Sequence, residues 1–411
     1  MIINKEIIKA YALKNAVEHG GEAIVGSVIN ALFNEGLEKN KIKEIIPEVN
    51  SVLKEVNSMD LEEQKKHLSE RENLIGHRPE RQGLPELPGA KKGKVIMRFA
   101  PSPSGPLHIG HILTILPNFL YVQRHGGIFY IRIEDTNPEN IYKPAYKMIE
   151  EEAKWICKNK VKIVIQSKRM NIYYKYLKEL IDKNVAYVCD CNNEKFKELL
   201  IAKKPCSCRG LDKKEQVKRW QKMLSKDKKM NYKPGEVVVR FKSNLNDPNP
   251  AMRDFPLARI NETPHLLQNK KYRVWPLMNL SVAVDDIEMK ISHIIRGKDH
   301  MDNAKRQKMM YKALGKEKQF PWTGFIGRLN FEDLTLSTSQ FRKDIEAGKY
   351  TGWDDKRLPT VASLKKRKYK PETFWKYVEQ RGISEVDKVI SQKDFFDALE
   401  NCQKFSGPRK S

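Results

Sequence analysis

At 411 residues and 40% hydrophobic content, the chain is long enough for roughly two to four domains with sizeable cores, which excludes a disordered tail. Its 77 Lys and Arg against 52 Asp and Glu leave a net charge of +25, which points to a polyanionic partner such as nucleic acid; a generally Lys-rich proteome is the plainer alternative. No apolar run approaches the roughly eighteen residues of a membrane span, and the Met-Ile-Ile-Asn-Lys-Glu start lacks a signal peptide's long apolar stretch, so the expected compartment is the cytoplasm, with no membrane contact.

Residues 1–80 show helical periodicity, in Glu22–Phe33 and Ile42–Val56, and read as a helical appendage. A Pro/Gly-rich link over 81–94, from Gln82 to Gly93, separates it from the region that begins at Val95. From Val95 to Ser167, strand-like runs (Val95–Ala100, Ile128–Ile133, Val161–Ile165) alternate with helical ones (Ile112–Val122, Ala145–Trp155). That alternation predicts an α/β fold, a Rossmann-type parallel sheet with its ligand at the strand C-termini, whose first half spans 95–184. No Gly-x-Gly-x-x-Gly and no Walker-type Gly-Lys-Ser/Thr is present, which argues against a dinucleotide and a P-loop.

Between the first strand and the first helix of this region lies Pro101-Ser-Pro-Ser-Gly-Pro-Leu-His-Ile-Gly-His111. Pro101, Pro103 and Gly105 make a sharp turn, and Gly110 admits close backbone approach. His108 and His111, three apart, share one face of the helix's first turn. A helix N-terminus with two imidazoles suits an ATP triphosphate. The plain alternative is a helix start with two surface histidines.

The region 185–262 interrupts the alternation. Cys189-Asp-Cys191 and Cys206-Ser-Cys208 form two close pairs, and in a reduced compartment such pairs hold metal more often than they form disulfides. Four thiolates make a closed tetrahedral site, expected to hold structural Zn²⁺; ordinary buried thiols are the alternative. Lys213–Arg219 with Trp220 is a basic run beside an aromatic, suited to phosphate contact and base stacking, or else a solvated helix face. The α/β pattern returns over 263–335, in Leu280–Val284, Ile291–Arg296 and helix-like Asp302–Leu314. A loop region over 336–362, a small helical domain over 363–401 and a tail over 402–411 complete the chain.

The stretch Arg98 to His111 resembles the HIGH signature of class I aminoacyl-tRNA synthetases in the form carried by glutamyl-tRNA synthetases, and Ile131-Arg-Ile-Glu-Asp-Thr136 resembles that family's second landmark. Tyr272–Met278 and Gly352–Pro359 are similar to the archaeal type, and the resemblance runs from Arg98 to about Asn401. It implies a glutamate–tRNA ligase using ATP with Mg²⁺. The expected partners are tRNA(Glu), with tRNA(Gln) left open, in a monomeric enzyme whose insertion contacts the acceptor end and whose 363–401 segment docks beside the active site. His108 and His111 would act on the phosphates, with Pro101, Ser102, Gly105, Gly110 and Arg342 binding ATP. Arg98, Ser102, Glu134 and Arg296 would hold glutamate, whose two carboxylates and ammonium call for guanidinium forks and a counter-carboxylate. The family's pocket tyrosine has no counterpart in Pro276–Leu280.

Two departures stand out. The second signature, usually Leu-Ser-Thr-Ser-Lys in the archaeal type, is Leu336-Ser-Thr-Ser-Gln340, so Ser339 keeps its place while the lysine that stabilises departing pyrophosphate is Gln340; Arg342 or Lys343 are nearby cations. The resemblance also fades over 402–411, where relatives continue into anticodon-reading β-barrels. A shortened or degenerate paralogue that glutamylates another acceptor, or a catalytically silent tRNA- or protein-binding chain, is the alternative reading.

Overall fold

The computed structural model describes residues 3–76, 83–227, 229–334 and 336–404; part of the expected link and most of the tail lie outside them. Two compact units emerge, Met1–Arg81 and Gln82–Ser411.

The first unit is four helices, α1 (Lys5–Glu18), α2 (Val25–Leu32), α3 (Ile42–Val56) and α4 (Leu61–Ser69). They pack around Ile8, Leu13, Val28, Leu32, Val52 and Val56. Asp60 starts α4 with a capping box to Glu63. Buried Gln64 donates to the carbonyls of Gly21, Val56 and Met59, fixing the turns around it.

The second unit opens with β1 (Val95–Phe99), α5 (Ile109–His125), β2 (Gly127–Ile133), α6 (Ala145–Ile156) and β3 (Lys162–Ile165). The three strands pair in parallel in the order β1-β2-β3. After α7 (Met170–Asp182) come β4 (Ala186–Cys189), α8 (Asn193–Ile201), α9 (Lys213–Leu224), β5 (Val238–Phe241), β6 (Pro256–Ile260) and β7 (Val274–Pro276). These strands form an antiparallel sheet, β4-β5-β6-β7, that runs on past residue 262 to Pro276.

The chain then forms α10 (Met278–Glu288), β8 (His293–Gly297), α11 (Met301–Ala313), β9 (Trp322–Ile326) and β10 (Leu329–Phe331). Leu280–Val284 therefore sits within a helix. It is buried on every side, and an apolar run without a period does not separate buried helix from buried strand. Strands β8 and β9 pair in parallel. Ser292 joins them to the first sheet: its N–H donates to Ile96 O at 2.9 Å, and Ile96 N–H donates to its Oγ at 2.8 Å. Chain order reverses between β1 and β8, so a crevice opens at their C-terminal ends, where ligands of doubly wound sheets bind.

The last elements are α12 (Thr338–Glu346), α13 (Val361–Lys366), α14 (Pro371–Arg381), β11 (Lys388–Ile390) and α15 (Gln392–Lys404). The 363–401 segment is thus helical with one strand, and β11 pairs in parallel with β10. Phe331, Val361, Leu364, Phe374 and Phe395 join the core around β1, β2 and α5, so this segment packs onto the same body as the crevice.

Candidate active site and four-cysteine cluster

Helix α5 begins where it does because a histidine caps it. His108 is extended (φ −133°, ψ 176°), and its Nδ1 accepts from Gly110 N–H at 3.1 Å; His111 Nδ1 accepts in return from His108 N–H at 3.3 Å. The rings stack at 3.8 Å between centroids, and Phe99 meets His111 edge-on. A backbone N–H can only donate, so both Nδ1 atoms are acceptors and each neutral ring carries its proton on Nε2. Burial, then the neighbouring ring, holds His108 well below its usual value; burial holds His111 at about 4. Both are neutral donors at physiological pH.

The turn before them is held from three sides. Glu134 N–H donates to Pro101 O and Tyr142 N–H to Pro103 O, at 2.9 and 2.8 Å. Leu107 N–H donates to the buried carboxyl of Glu152 at 2.6 Å, and Val361 N–H and Ile109 N–H bind Leu107 O and Pro359 O, each at 3.0 Å. Gly105 is required because a Cβ there would lie 2.9 Å from Thr338 Cβ. At Gly110 a Cβ would meet the His108 ring at 3.0 Å and Leu336 Cδ1 at 3.2 Å. With no side chain of its own, this glycine lets the His108 ring and Leu336 close in around the start of the helix.

Arg98, Pro101, Ser102, His108, Gly110, His111, Glu134 and Arg296 line one cavity of about 690 Å³ at the ends of β1 and β8. Gly105, Ser339, Gln340 and Arg342 are not among its lining residues. Ser339 Oγ lies 3.1 Å from Ser337 Oγ, Gln340 Nε2 donates to Asp344 at 3.0 Å, and Arg342 stands over the Tyr142 ring.

Behind the cavity lies a buried ion network. Arg98 donates to both oxygens of Asp286, at 3.1 and 3.0 Å, and Arg132 donates to Asp286 at 2.6 Å and to Glu134 at 3.2 Å. Against the upward push of burial, Arg98 and Arg132 pull Asp286 down to about 2. Burial raises Glu134, opposed by Arg132 and Arg98. Arg296 donates to Gln307 at 3.0 Å, and burial, then repulsion from Arg98, lowers it to about 10. Asp285, the neighbour of Asp286, accepts from Gln166, Arg169 and Tyr173. Sequence reading missed Arg132, Asp285 and Asp286. Two adjacent acids in the apolar run of α10 were the available signal, since such groups are buried only when paired. Met278, from the segment where no pocket residue was assigned, also lines the cavity.

The thiols of Cys189, Cys191, Cys206 and Cys208 lie within 4.8 Å of one another, with Cys189–Cys206 at 4.0 Å and Cys191–Cys208 at 3.6 Å. A Zn–S bond of about 2.3 Å implies tetrahedral edges near 3.8 Å, which these separations bracket, whereas a disulfide needs about 2.05 Å. The donor set therefore fits a four-thiolate metal. Arg219, from the basic run, turns inward to Asp190 at 3.0 Å and Cys208 Sγ at 3.7 Å. Trp220 is 4% exposed and edge-on to Tyr174, so its ring offers no stacking face; its place in that run is a core position.

The family of class I tRNA synthetases (E and Q), catalytic domain, matches residues 94–402. A glutamate–tRNA ligase of Methanobrevibacter smithii is 40% identical over 97% of this chain and 70% of its own length. One of Pyrococcus abyssi is 43% identical over 94% and 68%. A crystal structure of glutamate-tRNA synthetase from Elizabethkingia anophelis covers 76% of this chain and 70% of its own, at TM-score 0.52 and 21% identity, a likeness of fold. With the signature turn, the crevice at the chain reversal and these matches together, the chain belongs to the class I tRNA synthetases of the glutamate and glutamine branch.

Proposed function

We propose that the chain is a glutamate–tRNA ligase. One observation carries this reading: the two histidines of the signature turn and the Arg98, Glu134 and Arg296 set share a single cavity. Glutamate's α-carboxylate attacks the α-phosphorus of ATP, the bond to the β-phosphate breaks, and pyrophosphate leaves. A terminal ribose hydroxyl of tRNA then takes the glutamyl group and AMP departs. His108 and His111 donate their Nε2 protons as hydrogen bonds to the phosphates without changing charge, alongside Pro101, Ser102 and Gly110. Gly105 seats Thr338, and Ser339, Gln340 and Arg342 flank the phosphate end. Arg296 and Arg98 meet glutamate's carboxylates and Glu134 its ammonium. Mg²⁺, arriving with ATP, supplies charge neutralisation.

The Cys189, Cys191, Cys206 and Cys208 thiolates would hold Zn²⁺ as a structural ion, since four protein ligands leave no open position. Residues 185–262 serve the acceptor end of tRNA(Glu), or of tRNA(Gln) as well; 95–184 and 263–335 are the catalytic halves, 336–362 the signature loop and 363–401 the stem contact. The enzyme acts as a monomer in the cytoplasm. Gln340 favours a second reading, a catalytically silent tRNA- or protein-binding paralogue, because a neutral amide cannot counter departing pyrophosphate. Calorimetry tests the substrate assignment: glutamate should bind far better than glutamine, and a preference for glutamine would refute it.

A further inference from the structure

Six ionic side chains line the cavity: Arg98, Glu134, Arg296, Asp299, Arg328 and Arg381. Four have counter-charges within the protein. Arg98 is held by Asp286 and Glu134 by Arg132, while Asp299 and Arg328 pair with each other at 3.2 Å. Arg296 has a neutral amide for its hydrogen-bond partner and is the residue offered to the amino-acid carboxylate. Arg381 is left over. Among the described residues no hydrogen bond or ion pair engages its guanidinium, and the side chain nearest it in electrostatic terms is the phenol of Tyr377.

Arg381 closes α14 and is half-buried. Its position is fixed to the cavity wall by the turn after the helix: Gly327 N–H donates to Ser384 O at 2.8 Å, Arg328 N–H donates to Asp387 at 2.7 Å, and Lys298 pairs with Asp387 at 2.8 Å. A guanidinium cannot shed its proton, so a partly desolvated one without a counter-ion is unfavourable until an anion arrives. Gln340, which lies off the lining and carries no charge, does not offer that anion a cation.

We infer that Arg381 is a phosphate-binding residue of this site, holding the triphosphate tail of ATP and then the departing pyrophosphate; the inference rests on the proposed ATP-dependent ligase function. A planar fork that makes two parallel hydrogen bonds suits a phosphate more than a lysine would.

The test is calorimetric titration of the full chain with Mg²⁺–ATP, and separately with inorganic pyrophosphate, for wild type, Arg381→Met and Arg381→Gln, with thermal unfolding as the check on folding. Charge-assisted bonds of this kind correspond to about a ten- to hundredfold loss of affinity for both ligands. Arg381→Lys should recover part of it, and glutamate affinity should stay within about twofold. Wild-type affinity for both ligands in a folded Met or Gln variant would overturn the inference, as would a wild type that binds neither. Glutamate-dependent ATP–pyrophosphate exchange with total tRNA present keeps the two readings apart. Exchange in wild type with unchanged ligand affinity in the variants sinks Arg381 alone, whereas weakened ligand affinity without exchange in wild type sinks the ligase reading and leaves the phosphate site standing.

Discussion

At the scale of single residues, Asp286 decides how the cavity is charged. It holds Arg98 and Arg132 at once, and through Arg132 it sets Glu134. Removing Arg98 leaves Asp286 still paired, so Arg98→Ala should abolish most glutamate binding in calorimetry, by roughly a hundredfold, with a modest shift in thermal midpoint. Asp286→Ala strands the buried guanidinium of Arg98 and takes one carboxylate from Arg132, which keeps Glu134, and should destabilise by about 3–5 kcal/mol. Equal stability losses for the two variants would contradict this hierarchy. Gln340→Lys places an ammonium beside the phosphate end and should raise glutamate activation by about tenfold or more with glutamate affinity unchanged, because the contact matters mainly in the transition state. ATP consumption with tRNA present reads it, and an unchanged rate would assign the charge elsewhere. The two histidines give a pH signature. Both are held below 6.5 when folded, His111 at about 4, so below about pH 6.5 the unfolded chain takes up protons that the folded site refuses. The stability they contribute is complete above 6.5 and is lost as pH falls towards 4. Thermal midpoints at pH 7 and 4.5 should therefore diverge less in His111→Asn than in wild type.

At the scale of elements, the cysteine cluster anchors the end of β4 to the short helical turn at Cys208. Purified protein should carry about one zinc, and Cys206→Ser should lose it and loosen the 185–262 region, as read by metal analysis and proteolysis. Full stability without metal would exclude a structural role. This cluster was legible from spacing, as were β1, α5, β2, α6 and β3, because their periods and turn residues are local. What sequence did not disclose is non-local. Glu152 beneath Leu107 and the pairing of Asp286 with Arg98 and Arg132 arise only when β1, β2, α6 and α10 are brought together. Trp220 misled for a related reason: an aromatic beside lysines is a nucleic-acid signal only when its ring faces out, and α9 turns this one into the core.

At the scale of the whole molecule, charge is unevenly distributed. Acidic and basic residues nearly balance in Met1–Arg81, so the surplus of +25 resides in Gln82–Ser411, the unit that contains the cavity. A phosphate-rich partner is expected to bind that unit, with an affinity that falls steeply as salt rises. Joining of glutamate to tRNA in this cavity is read by incubating the chain with ATP, Mg²⁺, labelled glutamate and total tRNA, alongside the same tRNA with its terminal ribose oxidised by periodate. Labelled glutamate should appear on intact tRNA and not on the oxidised tRNA. Labelling of both pools would contradict transfer to the terminal ribose, and labelling of neither, in protein that binds ATP, would contradict ligase activity.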